Sequence, residues 1–431
     1  MGKSLVGLAL VSVLVGVSGR SLAEPADLLL SVANPHGYTY WGTELASCKD
    51  GSVLVGSHSS FGGFLGGVDV PVYRVDILTG QIVQTYEEPW LTPYINHMDM
   101  FGDSGIAEVG DYVLIGANAT LGAPQAGCVH VYDSDTGDYV HTLGHPSPCS
   151  SGSFGMAIAA LGDLAVVGTF YDGTSSGAAY IIDPFTGAVT QKLVRPEGSP
   201  SDNFGNSVAV SGNDVIVGGT RGPVYRFDST TGQVMATYTD PGMYGLFGYA
   251  VANAGDKVLV GAFKANVPEE ESGVVHVFNS YTGEHISTIE NPYPHPGDWF
   301  GIEIEVYEDR YALVGASNTE FGGTAYLYDL EDLSLVASFM NPDGCGGARF
   351  GENIAWASGA AVISAWRDNV DVGNVYVFEG YLPEPFCPAA LILGAACLLR
   401  RTRPGQVAGS LRQRRYRIGP CPARRRAGPH G

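Results

Sequence analysis

Aromatic rings standing beside carboxylates are the residues of this chain whose types and spacing suit chemistry. Trp90, Tyr94, His97 and Asp99 share one stretch, Tyr244 lies in another, and His295, Asp298 and Trp299 crowd a third. A flat ring stacks on the face of a sugar while an acid accepts hydrogen bonds from its hydroxyls, so these residues form the expected ligand-binding set. Paired acids also serve glycoside hydrolysis, where the two carboxyl groups sit about 5–10 Å apart. Two functions therefore compete. The first is a non-enzymatic binding or adhesion module, and the alternative is a secreted hydrolase or lyase acting on polysaccharide.

Asp133, Asp135 and Asp138, in Asp-Ser-Asp-Thr-Gly-Asp, form the one acidic cluster with the look of a calcium loop, since calcium takes several clustered oxygen ligands. The competing reading is a turn in which Asp accepts backbone N–H bonds. Calcium is the only cofactor the sequence suggests. Cys48, Cys128, Cys149 and Cys345 fall inside the repeat region and allow three pairings; Cys48 and Cys345, in units expected to be neighbours, are the pair put forward for a disulfide.

A repeat must position these residues. Trp41-Gly42, Phe101-Gly102, Phe154-Gly155, Phe204-Gly205, Phe247-Gly248, Phe300-Gly301 and Phe350-Gly351 open the same phrase at spacings of 60, 53, 50, 43, 53 and 50 residues. Periods of this size mark stacked supersecondary units. In the fourth unit, runs of β-branched and aromatic residues at Ser207–Val210, Val215–Gly218, Val224–Asp228 and Val234–Tyr238 are each bounded by Gly, Asn, Asp or Pro. They predict four strands joined by turns. From each opening aromatic to the residue ending the second strand the distance is 14 or 15, which implies one structural role per position. The pattern Asp-x-x-Thr-Gly recurs between the third and fourth strands, as at Asp228 to Gly232.

The seventh unit supplies three strands and stops. Its missing fourth strand is expected from Leu28–Ala33, whose Ser-Val-Ala-Asn-Pro ending resembles the fourth strands before Asn291-Pro292 and Asn341-Pro342. A strand from one chain end completing the last sheet closes a ring and removes open edges. The expected fold is all-β: a seven-bladed β-propeller of four-stranded antiparallel blades, closed by the N-terminal strand, with each opening aromatic wedged between blades. The long loops then share one face, where ligand residues are expected.

The phrase Phe-Gly-x-x-φ-Ala-x-x-Gly-Asp-x-φ-φ-Val-Gly-Ala, complete at Phe247 to Ala262, resembles the FG-GAP repeat of integrin-α-type propellers and their bacterial relatives. The resemblance implies the propeller fold and no particular activity. The Asp-x-x-Thr-Gly turns are also similar to quinoprotein repeats, but the docking Trp that follows there has no counterpart here.

Residues 1–23 read as a secretory signal peptide, with Lys3, an apolar run and Ser21-Leu22-Ala23. The propeller is assigned to residues 24–380. Pro383-Glu384-Pro385, an apolar run from Phe386 to Leu399 and Arg400-Arg401 resemble a PEP-CTERM sorting signal, assigned to residues 381–403, which implies an exosortase-type processing enzyme. Residues 404–431 form a basic tail, expected to be disordered.

Ten of the 23 basic residues lie from Arg400 onward, leaving residues 1–399 with 13 basic against 44 acidic groups, a net of −31. A phosphate backbone is repelled by such a surface, which sets nucleic acid aside. The expected molecule is a monomer, exported to the bacterial envelope, cell surface or extracellular space, whose partner is a polysaccharide or a surface protein.

Overall fold

Valine, isoleucine and aromatic residues alternate with turn residues from Ser207 to Tyr238, and the segment folds as the strands Ser207–Ser211, Asp214–Gly218, Val224–Asp228 and Val234–Tyr238. All three pairings are antiparallel. The computed structural model describes residues 26–35, 39–59, 71–89, 101–117, 127–147, 153–172, 177–196, 202–242, 245–344, 346–368 and 372–380. Within them the unit recurs as seven four-stranded antiparallel sheets. Neighbouring innermost strands touch all the way round, so the sheets are the blades of a seven-bladed β-propeller.

The ring closes as expected. Leu28–Ala33 lies antiparallel on Asn374–Glu379, with Ser31 opposite Tyr376 and Ala33 opposite Asn374, and it is the outer strand of blade seven. Every outer strand pair carries a register shift, at Arg74/Val75, Val131/Tyr132, Ile181/Ile182, Arg226/Phe227, Val277/Phe278, Leu327/Tyr328 and Leu28/Leu30. Bulges of this kind bend an exposed edge away from flat pairing with another chain.

The fixed distance within each repeat has a hydrogen-bond cause. The Gly205 N–H donates to the Gly218 carbonyl at 2.8 Å, and Gly102 to Gly116, Gly155 to Gly168 and Gly248 to Gly261 do the same at 3.1, 3.2 and 3.0 Å. The second-strand glycine also lies against the next blade. A Cβ on Gly168 would stand 2.1 Å from the Gly205 carbonyl oxygen, and one on Gly261 would stand 2.2 Å from that of Gly301. The two glycines thus make a backbone joint between neighbouring blades with no room for a methyl group. In blade seven the position is Ser364, where the backbone already holds a Cβ. Gly261→Ala is therefore expected to cost about 1–3 kcal/mol by overpacking, while Ser364→Ala stays within about 0.5 kcal/mol. Urea denaturation of both variants checks this, and equal midpoints would remove the joint.

On the short-turn face, buried arginines tie blades together. Arg226 meets Asp214 in its own blade and donates to the Ser280 carbonyl of the next, and Arg74 meets Glu108 at 3.1 Å across blades one and two.

Candidate functional site

The innermost strands are Thr39–Ser47, Ile106–Val109, Ala157–Leu161, Ser207–Ser211, Val251–Ala254, Phe300–Tyr307 and Phe350–Ala357. With the residues that lead into them they enclose a central cavity of about 790 Å³. Blades three, four and five wall it with Met156, Ala157, Ala159, Asn206, Val208, Ala209, Tyr249, Ala252 and Asn253, none of them acidic. The acids come from the other side: Glu44 of blade one, Asp103 of blade two, Glu303 and Glu305 of blade six and Glu352 of blade seven. Side chains two apart on a strand share a face, so Glu303 and Glu305 both enter the cavity while Ile304 packs into the core.

These carboxyl groups border water yet stand in an enclosed wall, and enclosure penalises the charged form. Burial, and then the neighbouring Glu305, push Glu303 up to about 8. Burial alone pushes Glu305 up to about 7. Glu44 is raised by burial and then by Glu303 and Asp103. Asp103 is raised by burial against the pull of His58, whose Nδ1 lies 3.4 Å away. Glu352 is raised by burial, opposed chiefly by Arg349, whose Nε lies 3.7 Å away. Tyr249 is pushed up to about 12 by burial and then by Glu352, Glu303 and Glu44.

At the long-loop mouth the cavity gains rings. Tyr40 lies parallel to His58 with centroids 6.1 Å apart and meets Trp366 edge-on at 5.2 Å, while the Arg367 guanidinium covers Trp366 at 4.6 Å. All four residues line the cavity. Half-buried aromatic faces, carboxyl groups and one exposed arginine therefore converge on one opening, a combination that suits a polyhydroxylated ligand.

Among the described residues, those singled out in the sequence as ligand-binding sit elsewhere. Trp90, Tyr94, His97, Asp99 and Tyr244 lie outside the described residues, as does Cys345 and with it the bridge considered for Cys48. Cys48 is buried, and burial pushes its thiol up to about 11 against the pull of Arg74. His295 is exposed, but Asp298 is only 1% exposed and accepts hydrogen bonds from Asn291 Nδ2 and the His295 N–H, both at 2.8 Å. Trp299 lies between Arg349, 4.3 Å from its ring, and Lys264, 5.4 Å away, and its indole N–H donates to Glu271. None of these three lines the cavity. Asp298 pins a loop and Trp299 joins neighbouring loops.

Asp133 behaves as the turn reading expects. Its Oδ1 accepts the N–H groups of Asp135 and Thr136, as Asp183 and Asp228 do in their own turns. Asp135 and Asp138 are exposed. Among the described residues no three His, Cys, Asp or Glu side chains are grouped to hold a metal ion. His141 and His145, four apart in sequence, also part company: His141 Nε2 bonds the Pro184 carbonyl, and His145 packs against Phe154 and Tyr180. Residues 173–176 of Gly173-Thr174-Ser175-Ser176-Gly177, a Gly-x-Ser-x-Gly sequence, lie outside the described residues.

No curated protein matches the chain. Residues 188–222 match the family model of the FG-GAP repeat. The matched stretch runs from the outer strand of blade three, Val189–Val194, through Phe204-Gly205 to the second strand of blade four, so the sequence repeat straddles the joint between two blades. The molecule is a seven-bladed β-propeller that carries an FG-GAP repeat.

Proposed function

We propose that this protein is an exported, non-enzymatic binding module that uses the long-loop mouth of its channel to hold an extracellular polysaccharide or the glycan of a surface protein. The observation that carries the reading is the meeting of Tyr40, His58 and Trp366 with Glu44, Asp103 and Glu352 at one opening. Rings offer flat faces to sugar rings, and carboxyl oxygens accept from their hydroxyls. A cavity of about 790 Å³ falls in the size range of small-ligand sites, about 300–1,000 Å³. Export rests on the leader-like residues 1–23, and delivery to the envelope on the sorting-like residues 381–403 and an exosortase-type enzyme.

Glycan-array screening followed by calorimetry tests the reading. Trp366→Ala is expected to weaken binding about 5–30-fold, the equivalent of 1–2 kcal/mol, with no product released. An array without hits, or a hit indifferent to Trp366→Ala, would remove it. One observation favours the hydrolase alternative: Glu303, held protonated near neutral pH, has the character of a general acid. Reducing ends released from a polysaccharide panel, and lost in Glu303→Gln, would establish that alternative.

A further inference from the structure

A ring closed by strand pairing has one place where it opens without breaking the chain. Here that place is the ladder between Leu28–Ala33 and Asn374–Glu379, because the two strands come from opposite ends of the propeller. Blade seven and the blades beside it also hold most of the channel's acids. Glu303 and Glu305 enter from blade six, Glu352 from blade seven, and Glu44 from blade one, with Asp103 beyond it on blade two. The inner strands of blades seven and one touch through polar bonds: Asn353 Nδ2 donates to the Gly42 carbonyl at 3.2 Å and Ser47 Oγ to the Trp356 carbonyl at 3.0 Å.

We infer that the carboxyl groups enclosed in the channel make closure of the ring pH-dependent, holding the N-terminal strand on the last blade most firmly in mild acid and loosening it as they ionise. Few charges oppose them. His58 faces Asp103 at 3.4 Å, Arg349 faces Glu352 at 3.7 Å, and Arg367 stands at the mouth. Blade five adds the neutral phenol of Tyr249, and among the described residues blades three and four add no charged side chain to the cavity wall. Glu108, at the far end, is held by Arg74 and Ser134. Glu303 and Glu305 thus have carboxyl groups and a phenol as neighbours, with the cations placed beside other acids.

The sign follows from proton binding. A carboxyl group raised from 4.5 to about 7 or 8 in the closed ring keeps its proton where the opened ring has lost it. Between about pH 4.5 and 8 the closed form therefore binds more protons, and its advantage falls as pH rises. Once the ladder is open, only the contact between blades seven and one, including the Asn353–Gly42 and Ser47–Trp356 bonds, still closes the ring, and parting it lets water reach the acids of the channel.

Hydrogen exchange with mass spectrometry on the full chain, at pH 5 and pH 8 and corrected for intrinsic exchange, reads this directly. Protection of Leu28–Ala33 and Asn374–Glu379 is expected to fall about tenfold or more, the factor that follows when one carboxyl group holds its proton about tenfold more tightly in the closed ring than in the opened one. Strands of blade four, such as Asp214–Gly218, should lose much less. In the double variant Glu303→Gln with Glu305→Gln the fall should be markedly smaller, whereas Glu331→Gln, at an exposed acid, should leave it intact. Three results would overturn the inference: flat protection in the wild-type protein, a loss equal in blades four and seven, or an undiminished loss in the double variant. The wild-type series decides even if the double variant folds poorly.

Discussion

Deleting residues 26–35 is expected to lower the unfolding free energy by on the order of 5 kcal/mol, from lost ladder bonds at about 0.5–1.5 kcal/mol each and the lost burial of Val32 at about 1.5–3 kcal/mol. Most side chains of the strand are exposed, but Val32 is buried and Leu30 packs on the cluster holding Tyr73, Val375 and Val377. Without the strand, the Asn374–Glu379 edge loses its partner, and its unpaired N–H and C=O groups become a template for another chain. The truncated protein should therefore self-associate with rising concentration. Adding the 26–35 peptide in trans should restore the midpoint and the monomer, because it supplies the missing strand in the same register. A truncated chain with an unchanged midpoint would show that the ring does not need its fastening.

The propeller was legible because each repeat states its own constraints. The 14- or 15-residue distance from opening aromatic to second-strand end reflects one N–H to carbonyl bond, as between Gly205 and Gly218. Asp-x-x-Thr-Gly marks a turn because the Asp carboxylate collects two N–H groups, as Asp228 does. Closure was legible as an absence at one end and a surplus strand at the other, Leu28–Ala33.

The site was far less legible. Glu303 and Glu305 look in sequence like the exposed half of an alternating strand, Ile302-Glu303-Ile304-Glu305-Val306. Only ring closure turns that half toward Glu44, some 260 residues earlier in the chain, and replaces bulk water with a walled channel. The signal available in the sequence was position: Glu44, Asp103, Glu303 and Glu352 follow the opening Gly by one or two residues, at the entry to the strand that becomes innermost. Loop composition pointed the other way. Trp299 and Asp298 have the residue types of a sugar site, but Arg349 and Lys264 cover the Trp299 ring, and Asn291 and the His295 N–H both engage Asp298 Oδ2 within the protein.

Phe204→Ala is expected to cost about 3–5 kcal/mol, the range for truncating a buried Phe with its cavity left behind. The ring is 2% exposed and lies among Val166, Ala179 and Ile181 of blade three and Val215, Val217, Tyr225 and Phe227 of blade four. It meets Tyr225 and Phe227 near edge-on at 6.1 and 6.2 Å, contacts that an alanine methyl cannot replace. Collapse into the void is hindered because the Gly205 backbone that follows is locked onto Gly218 and onto the neighbouring blade. The loss should appear as a lower urea midpoint at unchanged slope, since the same surface is exposed on unfolding. Thr230→Ala, at an exposed side chain in the outer turn of the same blade, should shift the midpoint by less than about 0.5 kcal/mol. If the two variants melted alike, the opening aromatic would not be the wedge that spaces one blade from the next.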